Sequence, residues 1–274
     1  MRYVIFYMKV IFSGGRKMFD AKDVKQRIVK WIADYFRDNG SAATKAVIGI
    51  SGGKDSSVVA ALCKEALGEE RVLGVLMPNG EQDDIDVSFS LCDTLNIKSM
   101  AINIKDPVLG IYSGVADAGL VPNDVAVFNT PARVRMAVLY AVSGIIGGRV
   151  ANTCNLSEDW VGYVTKFGDS AGDFCPLSDL TASEVKAVGR ELGLAPEFID
   201  KVPADGLCGR TDEESFGFSY DVLDRYIREG VCDDLRVKER IDALHRAGLH
   251  KIMPLPTFRL SGEEGIRKGG ADTC

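Results

Sequence analysis

Val24, Ile28, Ile32 and Tyr35 recur at helical spacing, and Val29, Trp31 and Phe36 widen the same apolar face, which predicts an opening helix. Apolar runs then alternate with amphipathic ones. The pattern predicts strand 46–50, helix 56–67, strand 72–77, helix 83–95 and strand 98–104. Residues 72–77, Val-Leu-Gly-Val-Leu-Met, are continuously apolar, as expected of a strand covered on both faces. Asp106-Pro107 reads as a stop. A helix over 131–146 carries Arg133 and Arg135 and ends at Gly147-Gly148. Strand 150–154 follows, then a loop over 161–180 rich in Gly, Asp and Ser, long enough to be functional. Helix 182–192 closes at Gly193. A loop over 203–212, helices near 219–228 and 233–247, and an extended tail holding His250 and Lys251 complete the chain.

This alternation indicates an α/β fold: a three-layer sandwich with a mostly parallel sheet flanked by helices. Ligands of such sheets sit at the carboxyl ends of the strands. The loops after strands 46–50, 72–77, 98–104 and 150–154 are therefore expected to line one site. Residues 1–17 read as an N-terminal extension, with Met18 a second possible start; 18–260 read as one domain and 261–274 as a flexible tail. The 274 residues carry a net charge of −6, which argues against a general nucleic-acid binder. The apolar start is too short to span a bilayer. Seven cysteines without a C-x-x-C pair point to free thiols and a cytoplasmic setting, and against a zinc site. Two histidines, His245 and His250, leave little basis for a histidine metal site or a Ser-His triad.

The chemistry concentrates where the first strand ends. Gly49, Ile50, Ser51, Gly52, Gly53, Lys54, Asp55 and Ser56 join a strand to a helix. Adjacent glycines let several N–H groups converge, and the helix start adds its own. The result is a phosphate cradle. Asp55 beside it makes sense if Mg²⁺ lies between carboxylate and phosphates. The P-loop pattern fails, because three rather than four residues separate Gly49 from Gly53 and Asp55 follows Lys54. The segment instead resembles the S-G-G-x-D-S signature of the ATP pyrophosphatases (PP-loop enzymes), which cleave ATP between the α and β phosphates. Glu158, after the late strand, is the candidate partner of Asp55 on the metal.

A second block is more specific. Residues 162–177 read Gly-Tyr-Val-Thr-Lys-Phe-Gly-Asp-Ser-Ala-Gly-Asp-Phe-Cys-Pro-Leu. This resembles the ammonia-dependent NAD⁺ synthetases, as do Thr153 to Glu158, Ala132-Arg133-Val134-Arg135-Met136, Asp212-Glu213 with Gly217, Tyr220 and Asp224, and His250-Lys251. The likeness runs from about Asp20 to Pro256. It implies a Rossmann-like, adenine nucleotide α-hydrolase-like fold and a homodimer. It also implies Mg²⁺-dependent amidation of deamido-NAD⁺ by ammonia, consuming ATP and releasing AMP and pyrophosphate. In that scheme residues 49–56 and Thr153 hold ATP, while Asp55 and Glu158 hold Mg²⁺. Arg133, Lys166, Asp173, His250 and Lys251 meet deamido-NAD⁺. Three positions depart from the family pattern: Ala182 where a lysine is common, Ala204 where a threonine is, and Leu76 where an arginine is. Lys186, one turn beyond Ala182, is the candidate replacement.

An activated carboxylate needs no protein nucleophile, so placement and charge neutralisation must carry the rate. Asp55, Asp173 and Lys186 are the candidate catalytic residues. Free ammonia is the expected nitrogen source, with a separate glutaminase left open. The alternatives are another PP-loop enzyme, of the GMP-synthetase or tRNA-modifying kind, and a non-catalytic ATP-binding module.

Overall fold

A computed structural model describes residues 19–82, 84–200 and 211–258. The expected extension 1–17, the tail 261–274, Ala204 and residues 203–210 lie outside them. Four strands, β1 (Ala46–Gly49), β2 (Val72–Leu76), β3 (Lys98–Ala101) and β4 (Arg149–Val150), form one sheet in the order β3-β2-β1-β4. Every neighbouring pair is parallel; Ala46 pairs with Val72 on one side and Arg149 on the other. Side chains alternate faces along a strand. Ala46, Ile48 and Ile50 accordingly join one core with Val58, Leu62 and Leu91. Val47 joins the other with Val75, Val134, Leu139 and Val150.

Helices α1 (Ala21–Asp38), α2 (Lys54–Leu67) and α3 (Ile85–Thr94) belong to the first core. Helices α4 (Lys105–Asp117) and α5 (Asp124–Ile146) cover the other face. A short α6 (Leu156–Val161) follows β4, and α7 (Ala182–Glu191) and α8 (Pro196–Ile199) return to the first layer. The remaining helices are α9 (Asp212–Phe216), α10 (Tyr220–Glu229) and α11 (Leu235–Ile252). They build a third, smaller core with α6 from Leu156, Phe216, Tyr220, Leu223 and Ile241. The three-layer α/β architecture is the expected one.

Several elements differ from the sequence expectation. Asp106-Pro107 does not stop an element; it lies in the first turn of α4. A helix's first N–H groups have no internal partner, so proline's missing donor is harmless there. The helix expected at 131–146 begins earlier, at Asp124, where the Asn123 side chain accepts from the Ala126 N–H. Pro131 is interior and cannot donate to the Val127 carbonyl. The Tyr112 hydroxyl donates there instead, at 3.1 Å. The strand expected at 150–154 is only two residues long. Beyond it, Ala151 bridges Phe174, Asp173 N–H donates to Val150 O and Asn152 N–H to Phe174 O, both at 2.8 Å. The 161–180 loop thus completes the sheet edge. His250 and Lys251 are not in an extended tail; they form the last turn of α11.

Candidate active site

β1 and β4 are neighbours, so the loops leaving them meet. Ile50 to Gly53 turn into α2, and Ala151 to Asn155 turn into α6. Gly52 has φ +74°, and a Cβ there would lie 2.9 Å from Ser88 Oγ, so glycine is required on two counts. Ser51 and Ser56 lock the turn: their hydroxyls are 3.1 Å apart, and the Ser51 Oγ accepts from Gly53 N–H at 3.2 Å. Ser56 and Ser57 hydroxyls both donate to Gly53 O.

Asp55, in the first turn of α2, faces Glu158 in the first turn of α6. The ammonium of Lys54 lies 2.7 Å from Asp55 Oδ2 and 3.8 Å from Glu158 Oε1. Lys54 is 3% exposed, and the two carboxylates are 18% and 17% exposed. Asn155, fully buried, has two roles. Its Oδ1 accepts from Ser157 and Glu158 N–H and caps α6, while its Nδ2 donates to Asp55 Oδ1 at 3.0 Å. Tyr220 lies 5.5 Å beneath the Lys54 ammonium and donates its hydroxyl to Asp212 at 2.9 Å.

Burial, then the neighbouring Asp55 carboxylate, push the Glu158 carboxyl well above its ordinary range, with Lys54 pulling the other way. Burial works against the Lys54 charge, yet Asp55 and Glu158 outweigh it and hold the ammonium above its ordinary pKa. The two carboxylates therefore disfavour each other's ionisation unless a cation stands between them. Among the described residues no three acidic, histidine or cysteine side chains form a ready metal cage. Two hard oxygen donors suit Mg²⁺, which is commonly held by one or two carboxylates plus phosphate oxygens.

The second constellation is tied together through the loop after α6. Arg133 Nε donates to Lys166 O at 3.2 Å, Lys166 Nζ to His250 O at 2.6 Å, and Lys251 Nζ to Gly162 O at 2.8 Å. Gly162 and Gly248 let α11 approach so closely that a Cβ on Gly162 would lie 2.4 Å from Gly248 Cα. Phe167, between Lys166 and Gly168, holds φ +62°, a strained conformation for a residue with a Cβ. The Asp173 carboxylate accepts from Val150 N–H at 2.7 Å and Tyr140 OH at 3.3 Å. A cavity of about 360 Å³ opens here, lined by Asn152, Asp159, Asp173, Cys175 and Lys251 among others. Thr153 is half-buried between the two constellations in sequence.

The structure thus brings Asp55 and Glu158 together, and gathers Arg133, Lys166, His250 and Lys251. It does not bring Lys186 to the loop: that ammonium lies 3.9 Å from Asp200 and is 35% exposed. Ala182 is buried at the start of α7 against Ser157, and Leu76 is buried at the end of β2. Of the four strand-end loops, those after β2 and β3 pair with each other through Gly80 and Asn103. Two further residues complete the site: Asn155 and, already part of the family pattern, Tyr220. Asn155 was signalled, since Asn three residues before Glu158 is a helix N-cap pattern.

Known proteins resemble this chain over most of its length. The NAD synthase family model matches residues 24–253. The NH(3)-dependent NAD(+) synthetase of Pyrococcus furiosus is 35% identical over 226 residues, covering 79% of this chain and 86% of its own. The NMN synthetase structure from Francisella tularensis superposes with a TM-score of 0.81 at 31% identity, covering 88% of this chain and all of that one. The NH3-dependent NAD synthetase of Campylobacter jejuni gives 0.70 at 26% identity with the same coverage. On these matches, together with its parallel sheet, the chain belongs to the NAD synthase family.

Proposed function

We propose that this protein amidates the nicotinate carboxyl of deamido-NAD⁺ with ammonia, at the expense of ATP, as the last step of NAD⁺ biosynthesis. The observation that carries this reading is the convergence of Asp55 and Glu158 on one ammonium beside the Ser51–Gly53 turn. A carboxylate oxygen of the substrate attacks the α-phosphorus of ATP, and the bond to the β-phosphate breaks. Pyrophosphate leaves, and an acyl adenylate remains. Ammonia then attacks the acyl carbon, loses a proton, and AMP departs with the original carboxylate oxygen.

Each part of this chain has a share. The N–H groups of the turn and the start of α2 receive phosphate oxygens. Asp55 and Glu158 would hold Mg²⁺, which would supply charge neutralisation at the phosphates. Asn155 orients the Asp55 carboxylate through its Nδ2 hydrogen bond. Thr153 also meets ATP. Arg133, Lys166, Asp173, His250 and Lys251 bind the dinucleotide, Asp173 near the amide-forming centre. The loop over 161–175 orders further around bound substrate. A cytoplasmic setting fits the free thiols of Cys63, Cys92, Cys154, Cys175 and Cys232.

The higher TM-score with the NMN synthetase favours a second reading. There the same chemistry acts on nicotinate mononucleotide, and no adenylyl half is bound. Steady-state kinetics with ATP, Mg²⁺, ammonium and each carboxylate substrate decides. The first reading predicts a kcat/KM for deamido-NAD⁺ at least about tenfold higher, roughly 1.4 kcal/mol of added transition-state binding. The reverse preference replaces it with the second reading. No amide product from either substrate rejects both, and leaves the other PP-loop reactions.

A further inference from the structure

Lys54 belongs to the turn that receives ATP in the reading above, yet its side chain is buried. Its ammonium occupies Asp55 Oδ2 and reaches Glu158, while Asn155 occupies Asp55 Oδ1. Among the described residues no other basic side chain pairs with either carboxylate. A Mg²⁺ or Mn²⁺ ion bound to Asp55 lies about 2.1 Å from a carboxylate oxygen. An ammonium 2.7 Å from Oδ2 is then only a few ångströms from that ion, and two cations so close repel strongly in a poorly solvated pocket. The ammonium and the metal therefore compete for one electrostatic well. A displaced lysine charge, in turn, costs a great deal unless it finds new anionic partners.

We propose that Lys54 is a resident counter-cation, which a divalent metal displaces from Asp55 and Glu158, and whose released ammonium then pairs with phosphate oxygens of ATP. This rests on the ATP-site reading above. Metal and nucleotide thereby favour each other: the metal frees the lysine that the phosphates need, and the phosphates supply the partner that makes its release favourable. No covalent bond changes in the exchange. The Tyr220 ring, 5.5 Å from the ammonium, gives the side chain a surface to pivot on.

The test uses two probes on the full-length enzyme: Mn²⁺ alone, followed by electron paramagnetic resonance, and α,β-methylene-ATP at saturating Mg²⁺, followed by calorimetry. Lys54→Met is expected to bind Mn²⁺ at least about tenfold more tightly than the native enzyme without nucleotide, and the ATP analogue at least about tenfold more weakly. Lys54→Gln keeps hydrogen-bond donors for both carboxylates and is expected to change in the same directions; it decides the matter if Lys54→Met does not fold. Lys54→Arg retains the charge and is expected to keep Mn²⁺ affinity near the native value. A strut with a purely structural role would not tighten metal binding when removed. Mn²⁺ affinity unchanged or weaker in the neutral variants, with both probes bound by native enzyme, overturns the proposal alone. Tighter Mn²⁺ with unchanged analogue affinity overturns its second half. A native enzyme that binds neither probe overturns the ATP-site reading and this proposal together.

Discussion

Two carboxylates and one buried ammonium set the electrostatics at the end of β1, and each residue there has a separable consequence. Asp55→Ala and Glu158→Ala are expected to lower NAD⁺ formation by at least about a hundredfold while circular dichroism stays native. Near-normal Mg²⁺-dependent turnover in either variant contradicts the metal assignment. Asp169 offers a pH test. Burial raises its carboxyl above the ordinary 3.8, although the Thr165 N–H donates to it. The folded chain alone penalises the ionised form, so the penalty is fully present above the raised pKa and absent below 3.8. Asp169→Asn should raise the urea midpoint at pH 8, with a gain that shrinks as the pH falls toward 3.8; a gain that grows on acidification contradicts this. The Ser51 to Ser56 turn and Glu158 were legible as residues because their chemistry is carried by type and spacing. The burial of Lys54 was not, because it depends on Glu158 and Tyr220, which lie far away in sequence. Lys186 was placed by helical spacing from Ala182, but spacing along α7 cannot foresee that Asp200 would take its charge.

At the scale of elements, hydrophobic periodicity located the strands and most helices within a few residues, and it failed where proline intervened. Pro107 and Pro131 both read as boundaries, since local rules treat proline as a breaker. One is harmless in a first turn. The other is tolerated because Tyr112, from α4, satisfies the carbonyl that proline leaves open. That compensation is a tertiary contact and has no local sequence signal. Tyr112→Phe should therefore cost about 1 kcal/mol in chemical denaturation. No loss of stability would mean that water serves the Val127 carbonyl equally well. The same limit explains β4. Its successor residues pair with a loop rather than a strand, because Ala151 and Phe174 meet only after the 161–180 segment folds back.

At the scale of the molecule, the three-layer plan followed from the order of elements, and the described residues include no helix long and apolar enough to cross a membrane. What covers α4 and α5 was not legible from their sequence. Leu109 and Ile111 on α4, and Val125, Val127 and Phe128 on α5, are 41–66% exposed. Apolar side chains exposed on neighbouring helices suit a subunit interface. A homodimer through this face fits the reading above, and it places the partner beside the helix that carries Arg133. Light scattering is expected to give twice the chain mass, and Val125→Glu with Phe128→Glu to give a folded monomer. A native protein that stays monomeric at micromolar concentration rejects the dimer.

In the proposed reaction the substrate carboxylate attacks the α-phosphorus of ATP in the pocket formed by Asp55, Glu158 and the Ser51–Gly53 turn. Isotope transfer reads that bond directly. Deamido-NAD⁺ carrying ¹⁸O in its nicotinate carboxyl is incubated with ATP, Mg²⁺, ammonium and enzyme, and the phosphorus products are analysed by mass spectrometry. One ¹⁸O is expected in AMP for each amide formed, with unlabelled pyrophosphate. Label in orthophosphate alongside ADP, or AMP without label, contradicts it.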